Sequence, residues 1–453
     1  MGGRARVVSI GTILGVGTLF SLRTPLSYPA GHRGNQARQA AQLAPGWCPL
    51  TTEVRVRIDR VVIAGAGLAG LRTAEELRGR GYPGAITMIG AESRPPYDRP
   101  PLTKKFMTGQ LDDTSLAADP VALGLDLRLG EAATGLADGL LRTSRGEYRF
   151  DALVLATGAA PVRLPGRGRQ WVLRTFDDAW ALRDALLPGV RLVVVGAGWI
   201  GAELATTAAG RGCQVTVVEA GAAPLAGAIG AEVGLRTVPW YPAAGVDLRL
   251  GQPVASVEDG GLALPDGGWL PADIIVTAIG VRPQLDWLAG SGVSVGNGIE
   301  VDGQLRTSVP RVYAAGDCAA FLSARYQRRL RVEHWDNALH APAAVAAGIT
   351  GEETGYDPVP YFWSEQFGRM VQYAGHHTGA DRLLWRGDPA GARWAACWLA
   401  GDTRQDRLVA LLTVGHPKDL VQGRRVIAAG GAVDPARLAD PAVAVRDAAL
   451  AVT

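Results

Sequence analysis

Apolar residues along this chain fall into short unbroken runs closed by glycine, and such a run predicts a strand buried on both faces of a parallel sheet. Arg60-Val61-Val62-Ile63-Ala64 is the first, Ala85-Ile86-Thr87-Met88-Ile89 the second, and Phe150-Asp151-Ala152-Leu153-Val154-Leu155 the third. Between the first two, Leu71, Ala74, Glu75 and Leu77 stand at helical spacing and predict a helix from Leu71 to Gly81. The pattern then starts again. Arg191-Leu192-Val193-Val194-Val195 reads as a strand, Ala202 to Arg211 as a helix, and Gln214-Val215-Thr216-Val217-Val218 as the next strand. Asp273 to Ala278 and Val312-Tyr313-Ala314 add two more strands. Beyond Phe362 the alternation of strand and helix stops. Trp394 to Leu399 and Leu408 to Val414 read as strands, Arg404 to Arg407 as a hairpin loop, and Pro435 to Leu450 as helical in part. The class predicted is α/β with two Rossmann-like units, followed by an α+β domain.

What joins each first strand to its helix carries the chemistry. Gly65-Ala66-Gly67-Leu68-Ala69-Gly70 and Gly196-Ala197-Gly198-Trp199-Ile200-Gly201 share the G-x-G-x-x-G spacing. Gly65 permits the tight turn, Gly67 lets backbone approach a pyrophosphate, and Gly70 lets the helix pack closely on the strand. The helix N-terminus then offers free N–H groups to the phosphates. Glu92, about twenty residues after the last glycine, can accept from a ribose hydroxyl. Glu219 ends the matching strand of the second unit, where a carboxylate accepts from the adenosine 2′- and 3′-hydroxyls and repels a 2′-phosphate. No arginine stands among Ala220, Gly221, Ala222 and Ala223, so NADH is favoured over NADPH. The turn Ala156-Thr157-Gly158 lets backbone approach a cofactor, and Ile279-Gly280-Val281 closes the second unit. Asp317, at the tip of the last strand, reads either as an acceptor for a ribityl hydroxyl of FAD or as a helix N-cap.

Composition narrows the partners. At 453 residues the chain has room for two or three domains. Its 46 basic and 43 acidic residues are too balanced to suggest nucleic acid binding. The four cysteines, Cys48, Cys213, Cys318 and Cys397, show no CxxC spacing, so neither a disulfide framework nor a structural zinc site is expected. Met1 to Glu53 stands apart: Arg4 and Arg6 precede a glycine-rich apolar run from Val7 to Leu22, too short to predict a membrane span. That stretch reads as a misassigned start or a disordered leader, in preference to a targeting segment, and a cytoplasmic protein is expected.

With these residues in place, the chain resembles the FAD-containing, NADH-dependent ferredoxin reductases of oxygenase systems, in the pyridine nucleotide-disulfide oxidoreductase superfamily. The resemblance runs from about Arg60 to the C-terminus. It is carried by Pro96-Tyr97-Asp98-Arg99-Pro100-Pro101-Leu102-Thr103-Lys104, by Glu333-His334-Trp335-Asp336-Asn337-Ala338, and by Pro360-Tyr361-Phe362-Trp363-Ser364-Glu365-Gln366. It implies that Gly65, Gly67, Gly70, Glu92, Arg99, Ala156, Gly158, Arg174 and Asp317 bind FAD, and that Gly196, Gly198, Gly201, Glu219 and Gly280 serve NADH. Lys104 is then expected beside the isoalloxazine, Glu203 toward the nicotinamide and Trp335 at the flavin edge. Thiol-dependent relatives carry a cysteine near the Lys104 segment, and none lies there here. Ala91 stands where the family often has an acid, one residue before Glu92. The helix after Asn337 lacks the family's glutamine and basic residues.

The organisation implied is a leader (1–53), an FAD domain in two parts (56–161 and 283–361), an NADH domain inserted between them (162–282), and a C-terminal domain (362–453). The reaction implied is hydride transfer from NADH to FAD, then single-electron transfer to a two-iron two-sulfur ferredoxin that feeds an oxygenase. A monomer or weak dimer is expected. An NADH oxidase or quinone-type reductase is the alternative within enzymes, and a non-catalytic NADH-sensing flavoprotein the alternative outside them. Arg325, Arg328, Arg329 and Arg331 read either as a solvated loop or as a basic rim for an acidic ferredoxin; their place before Glu333-His334-Trp335 favours the rim.

Overall fold

The computed structural model describes residues 57–401 and 406–450. The leader 1–53, the start of the FAD domain at 56 and most of the loop at Arg404 fall outside that range. Within it, the chain is α/β with parallel sheets and ends in an antiparallel sheet, as the hydrophobic pattern predicts.

The first sheet takes the order Val312–Ala314, Ala152–Leu155, Arg60–Ala64, Ala85–Gly90, Leu125–Leu129, with every pair parallel. Its middle strand is exposed only at Arg60, because the helix Leu68–Gly79 and the small antiparallel strand Glu147–Arg149 both pack against it; Ile63 is fully buried. Burying a side chain of that size contributes about 1.5–3 kcal/mol. Asp151 fixes the start of this strand, accepting from the backbone N–H of Asp59 and Arg60 at 3.1 and 2.9 Å. The helix Leu68–Gly79 leaves the strand and packs on the long helix Trp335–Thr350.

The second sheet has the order Asp247–Arg249, Gln214–Val218, Arg191–Val195, Ile274–Thr277, again all parallel. It lies entirely between two strands of the first sheet in sequence, since Val312–Ala314 returns to pair with Ala152–Leu155. Ala160–Pro161 and Val281–Arg282 pair antiparallel where the chain passes from one unit to the other and back. The C-terminal sheet runs Tyr361–Gln366, Arg369–Gly375, Arg407–Val414, Trp394–Ala400, Arg382–Gly387, all antiparallel, with the helix Pro417–Ala429 against it. It shares a core with the second unit: Tyr241 and Phe367 meet with centroids 4.5 Å apart.

The stretch Pro435 to Leu450 is helical in part, as expected, with the short helix Pro435–Ala439 and a 3-10 turn, Val445–Ala448. Two differences from the sequence reading have plain causes. Both nucleotide helices begin three residues early, at Leu68 and Trp199, because the glycine motif itself winds into the first turn; Leu71 N–H already donates to Gly67 O at 3.0 Å. Small antiparallel sheets, such as Ala133–Ala137 with Leu140–Thr143 and Glu147–Arg149, escaped notice. Their strands are three to five residues long and half exposed, so no apolar run marks them.

A cavity between two glycine turns

The two glycine turns are built alike. Gly65 N–H donates to Ile89 O at 2.7 Å, and Gly196 N–H to Val218 O at 2.8 Å. Gly65 and Gly196 have φ of +125° and +103°, a left-handed backbone that side chains resist. A Cβ on Gly70 would lie 1.9 Å from Gly65 O, and one on Gly201 would lie 2.0 Å from Gly196 O. These four glycines therefore serve the turn and its packing. The middle glycines differ. A Cβ on Gly67 would meet nothing within 4 Å, and one on Gly198 only Ala278 O at 3.9 Å. No protein atom demands glycine there, so the space they keep free suits a ligand.

That space belongs to a cavity of about 980 Å³, at the top of the range for cofactor sites. It reaches from Gly65 and Gly67 to Gly198 and Trp199, and Ala156, Gly158 and Gly280 border it. Of the residues expected from sequence, Glu92, Arg99, Lys104, Arg174, Glu203, Asp317 and Trp335 also line it. Gly70, Gly196, Gly201 and Glu219 are not on its wall. Gly70 and Gly201 face back into their own turns. Glu219 accepts from Ala197 N–H and Gly221 N–H, each at 2.8 Å, and so props the second turn from behind.

The polar groups of the wall hold one another. Glu92 accepts from Tyr97 Oη at 2.6 Å and from Arg99 at 2.7 Å, and Arg99 also donates to Arg174 O. Burial pushes the Tyr97 hydroxyl pKa up, against the pull of Arg99. Arg174 pairs with Asp317 at 2.7 Å, so the Asp317 carboxylate faces the cavity arginine and caps no helix. Trp335 Nε1 donates to Asp98 at 2.8 Å.

Lys104 and Glu203 come together although 99 positions apart. Glu203 is 4% exposed, and its carboxylate accepts from Lys104 Nζ at 2.7 Å, Thr103 Oγ1 at 2.6 Å and Ser364 Oγ at 2.6 Å. Three donors on one buried carboxylate offset the cost of burying the charge. Thr103 and Ser364 were missed as site residues. Both lie inside the quoted motifs, but nothing in a linear pattern says that a hydroxyl from each meets one acid. His334 was missed too: burial holds its imidazole down to about 4, although the nearby Asp317 and Asp336 carboxylates pull it up.

The wall also keeps groups in reserve. Arg174 Nε and His334 Nδ1 are buried with no hydrogen-bond partner, which is uncommon in a finished site. With the unfilled space at Gly67 and Gly198, these atoms fit a bound dinucleotide with an aromatic ring system. Among the described residues no cysteine lines the cavity, and Cys213, Cys318 and Cys397 are buried free thiols.

The basic rim is a different matter. Arg325 donates to Ile427 O and Ala428 O, Arg329 to Val301 O and Ala320 O, and Arg331 pairs with Glu333. Three of the four guanidinium groups are thus taken up by the protein's own oxygens: Arg329 and Arg331 within the strand Arg328–Arg331 beside Ala319–Ser323, and Arg325, before it, against the end of the helix Pro417–Ala429. The expected rim reduces to Arg328.

Two parallel nucleotide-type units sharing one cavity define a dinucleotide-dependent oxidoreductase, and comparison with known proteins makes this specific. Residues 59–341 match the family described as pyridine nucleotide-disulphide oxidoreductase and residues 361–449 the reductase C-terminal family; the chain belongs to the first and carries the second as its final domain. The ferredoxin reductase subunit of 5,5'-dehydrodivanillate O-demethylase from Sphingobium sp. (strain NBRC 103272 / SYK-6) is 36% identical over 397 residues, covering 84% of this chain and 95% of the relative. Putidaredoxin reductase CamA from Pseudomonas putida is 32% identical over 410 residues, covering 86% and 96%. The crystal structure of the covalent putidaredoxin reductase–putidaredoxin complex superimposes with a TM-score of 0.82 at 32% identity, covering 86% of this chain and 97% of that one.

Proposed function

We propose that this chain is an NADH-dependent ferredoxin reductase: it takes hydride from NADH onto bound FAD and passes electrons singly to a two-iron two-sulfur ferredoxin serving a monooxygenase or dioxygenase. The observation that carries this reading is the single cavity joining two alike glycine turns, each with its middle glycine open to a ligand. The relative named as the ferredoxin reductase subunit of an O-demethylase, and the solved structure of putidaredoxin reductase in covalent complex with putidaredoxin, support the acceptor.

When bound, FAD supplies a ring that accepts electrons in pairs and releases them one at a time, which no side chain can do. The chain supplies position and field. Gly67, on the turn that Gly65 permits, would let backbone approach the FAD pyrophosphate, and Asp317, oriented by Arg174, would accept from the ribityl chain. Lys104 brings a positive charge close to where electron density arrives, and Glu203 with Thr103 and Ser364 fixes where that charge sits. Gly198, and Glu219 at the strand end behind its turn, would place the NADH adenosine half. Trp199 and Phe362, with centroids 4.3 Å apart, give the cavity an aromatic wall against which a planar ring can lie. Trp335, held by its bond to Asp98, would lie at the flavin edge, where electrons leave.

The purified protein is expected to be yellow, with one FAD released per chain on denaturation, and to turn over NADH with a reducible ferredoxin. A colourless protein that takes up no FAD would refute the reading. NADH oxidation that consumes oxygen at the same rate with and without ferredoxin would favour the oxidase alternative. A long-lived charge-transfer band with no acceptor reactivity would favour the sensor. Among the described residues no helix is long and apolar enough to cross a membrane.

A further inference from the structure

His334 occupies the N-cap of the helix Trp335–Thr350, yet its side chain makes no capping bond. Serine, threonine, asparagine or aspartate there would cap the helix. The imidazole instead lines the cavity and packs on Phe362, centroid to centroid 4.8 Å, beside the Phe362–Trp199 contact. Nδ1 is sealed and has no partner, and among the described residues Nε2 has none either. Nothing around Nδ1 can accept a proton. A buried N–H without an acceptor is rarer than an unused lone pair, so the proton belongs on Nε2. The neutral ring therefore carries one free donor, in a compartment walled by Trp335, Phe362 and Trp363. Such aromatic walls suit a planar ring system, whereas the phosphates have the glycine turns at the other end.

We infer that His334 is a flavin-binding side chain, with Nε2–H donating to the pyrimidine end of the bound isoalloxazine. This rests on the flavoprotein reading of the preceding section. Of the two ends of the tricycle only the pyrimidine one bears acceptors, and electron density gathers on those atoms when the ring is reduced. A donor placed there tightens binding and makes reduction easier.

The test compares wild type, His334→Phe and His334→Gln as apoproteins titrated with FAD, followed by equilibration of each holoprotein with redox dyes. Phenylalanine keeps the packing on Phe362 and removes the donor; glutamine restores a donor of similar reach. The phenylalanine variant is expected to bind FAD about tenfold more weakly. Its bound flavin should also have a more negative midpoint potential, and the glutamine variant should recover most of both. Unchanged affinity and potential in His334→Phe would overturn the assignment. Equal losses in both variants would also overturn it, since packing and not donation would then be the cause. Wild-type chain that takes up no FAD would fail the flavoprotein reading itself, an outcome distinct from either.

Discussion

Replacing Glu219 by glutamine sets two effects of one carboxylate against each other, and their difference is measurable. Both oxygens accept backbone N–H groups, from Ala197 and Gly221 at 2.8 Å each. An amide has one acceptor oxygen, so one of those N–H groups would face an NH2, and the second glycine turn would lose a hydrogen bond. That loss, about 1 kcal/mol, weakens NADH and NADPH alike by roughly fivefold. The other effect touches NADPH alone. Its 2′-phosphate, with about −1.5 to −2 charges near neutrality, is expected close to this strand end, and repulsion from a half-exposed carboxylate costs about 1–3 kcal/mol. Glu219→Gln should therefore lower kcat/KM for NADH by about fivefold while raising it for NADPH by up to about thirtyfold. The ratio of the two should fall by about fivefold to 150-fold. Ferricyanide as acceptor keeps the ferredoxin step out of the measurement. Raising the salt should compress the wild-type preference and leave the variant's nearly unchanged. If wild type already uses both coenzymes equally, or if the variant's ratio equals that of wild type, Glu219 does not meet the 2′ position.

Other outcomes follow from the same geometry. Glu203→Ala leaves Lys104, whose side chain is 16% exposed, without its counter-charge, a defect worth about 3–5 kcal/mol; the temperature of flavin release should drop, and drop less in Glu203→Gln, whose oxygen still accepts one donor. Equal drops would mean that shape and not charge matters there. Burial holds the His376 imidazole at about 4 in the fold, with Arg328 and His377 adding to the effect, against 6.5 as its ordinary value. The unfolded chain thus binds more protons between those values, and stability is complete above pH 6.5 and falls as the pH drops toward 4. Urea midpoints at pH 7.5 and pH 5 should differ less in His376→Gln than in wild type; an unaltered difference would exclude this histidine as the cause. Arg328→Glu should slow ferredoxin reduction about twofold to fivefold at low salt and leave ferricyanide reduction intact, and a change in neither rate would make Arg328 ordinary surface.

Much of the fold was legible because its central strands are buried on both faces. Val61 to Ala64 and Leu192 to Val195 have no solvent side, so they appear as unbroken apolar runs, and glycine closes each one for a reason visible in the backbone. The helix starts were misread by three residues because Leu68 and Trp199 sit inside a motif read as a turn. The satellite sheets were invisible for the opposite reason. Glu147–Arg149 and Ser256–Glu258 are too short to show a period, and register alone makes them strands.

The site divides along the same line. Residues whose role depends on backbone shape, such as Gly65 and Gly67, can be named from spacing, since the spacing is the shape. Residues whose role depends on meeting another side chain cannot. Glu203 could be placed on the right helix, but its partners come from residues 103 and 104 on one side and 364 on the other, in three units that share no local pattern. The arginines show the converse. Arg325, Arg328, Arg329 and Arg331 look alike in sequence, and charge counting treats them as one patch. Once the strand forms, three guanidinium groups turn to carbonyl or carboxylate oxygens of the chain and one does not. A guanidinium already committed to its own protein offers little to a partner, so the number of arginines in a stretch overstates its docking charge, here about fourfold if each hydrogen-bonded group is discounted fully.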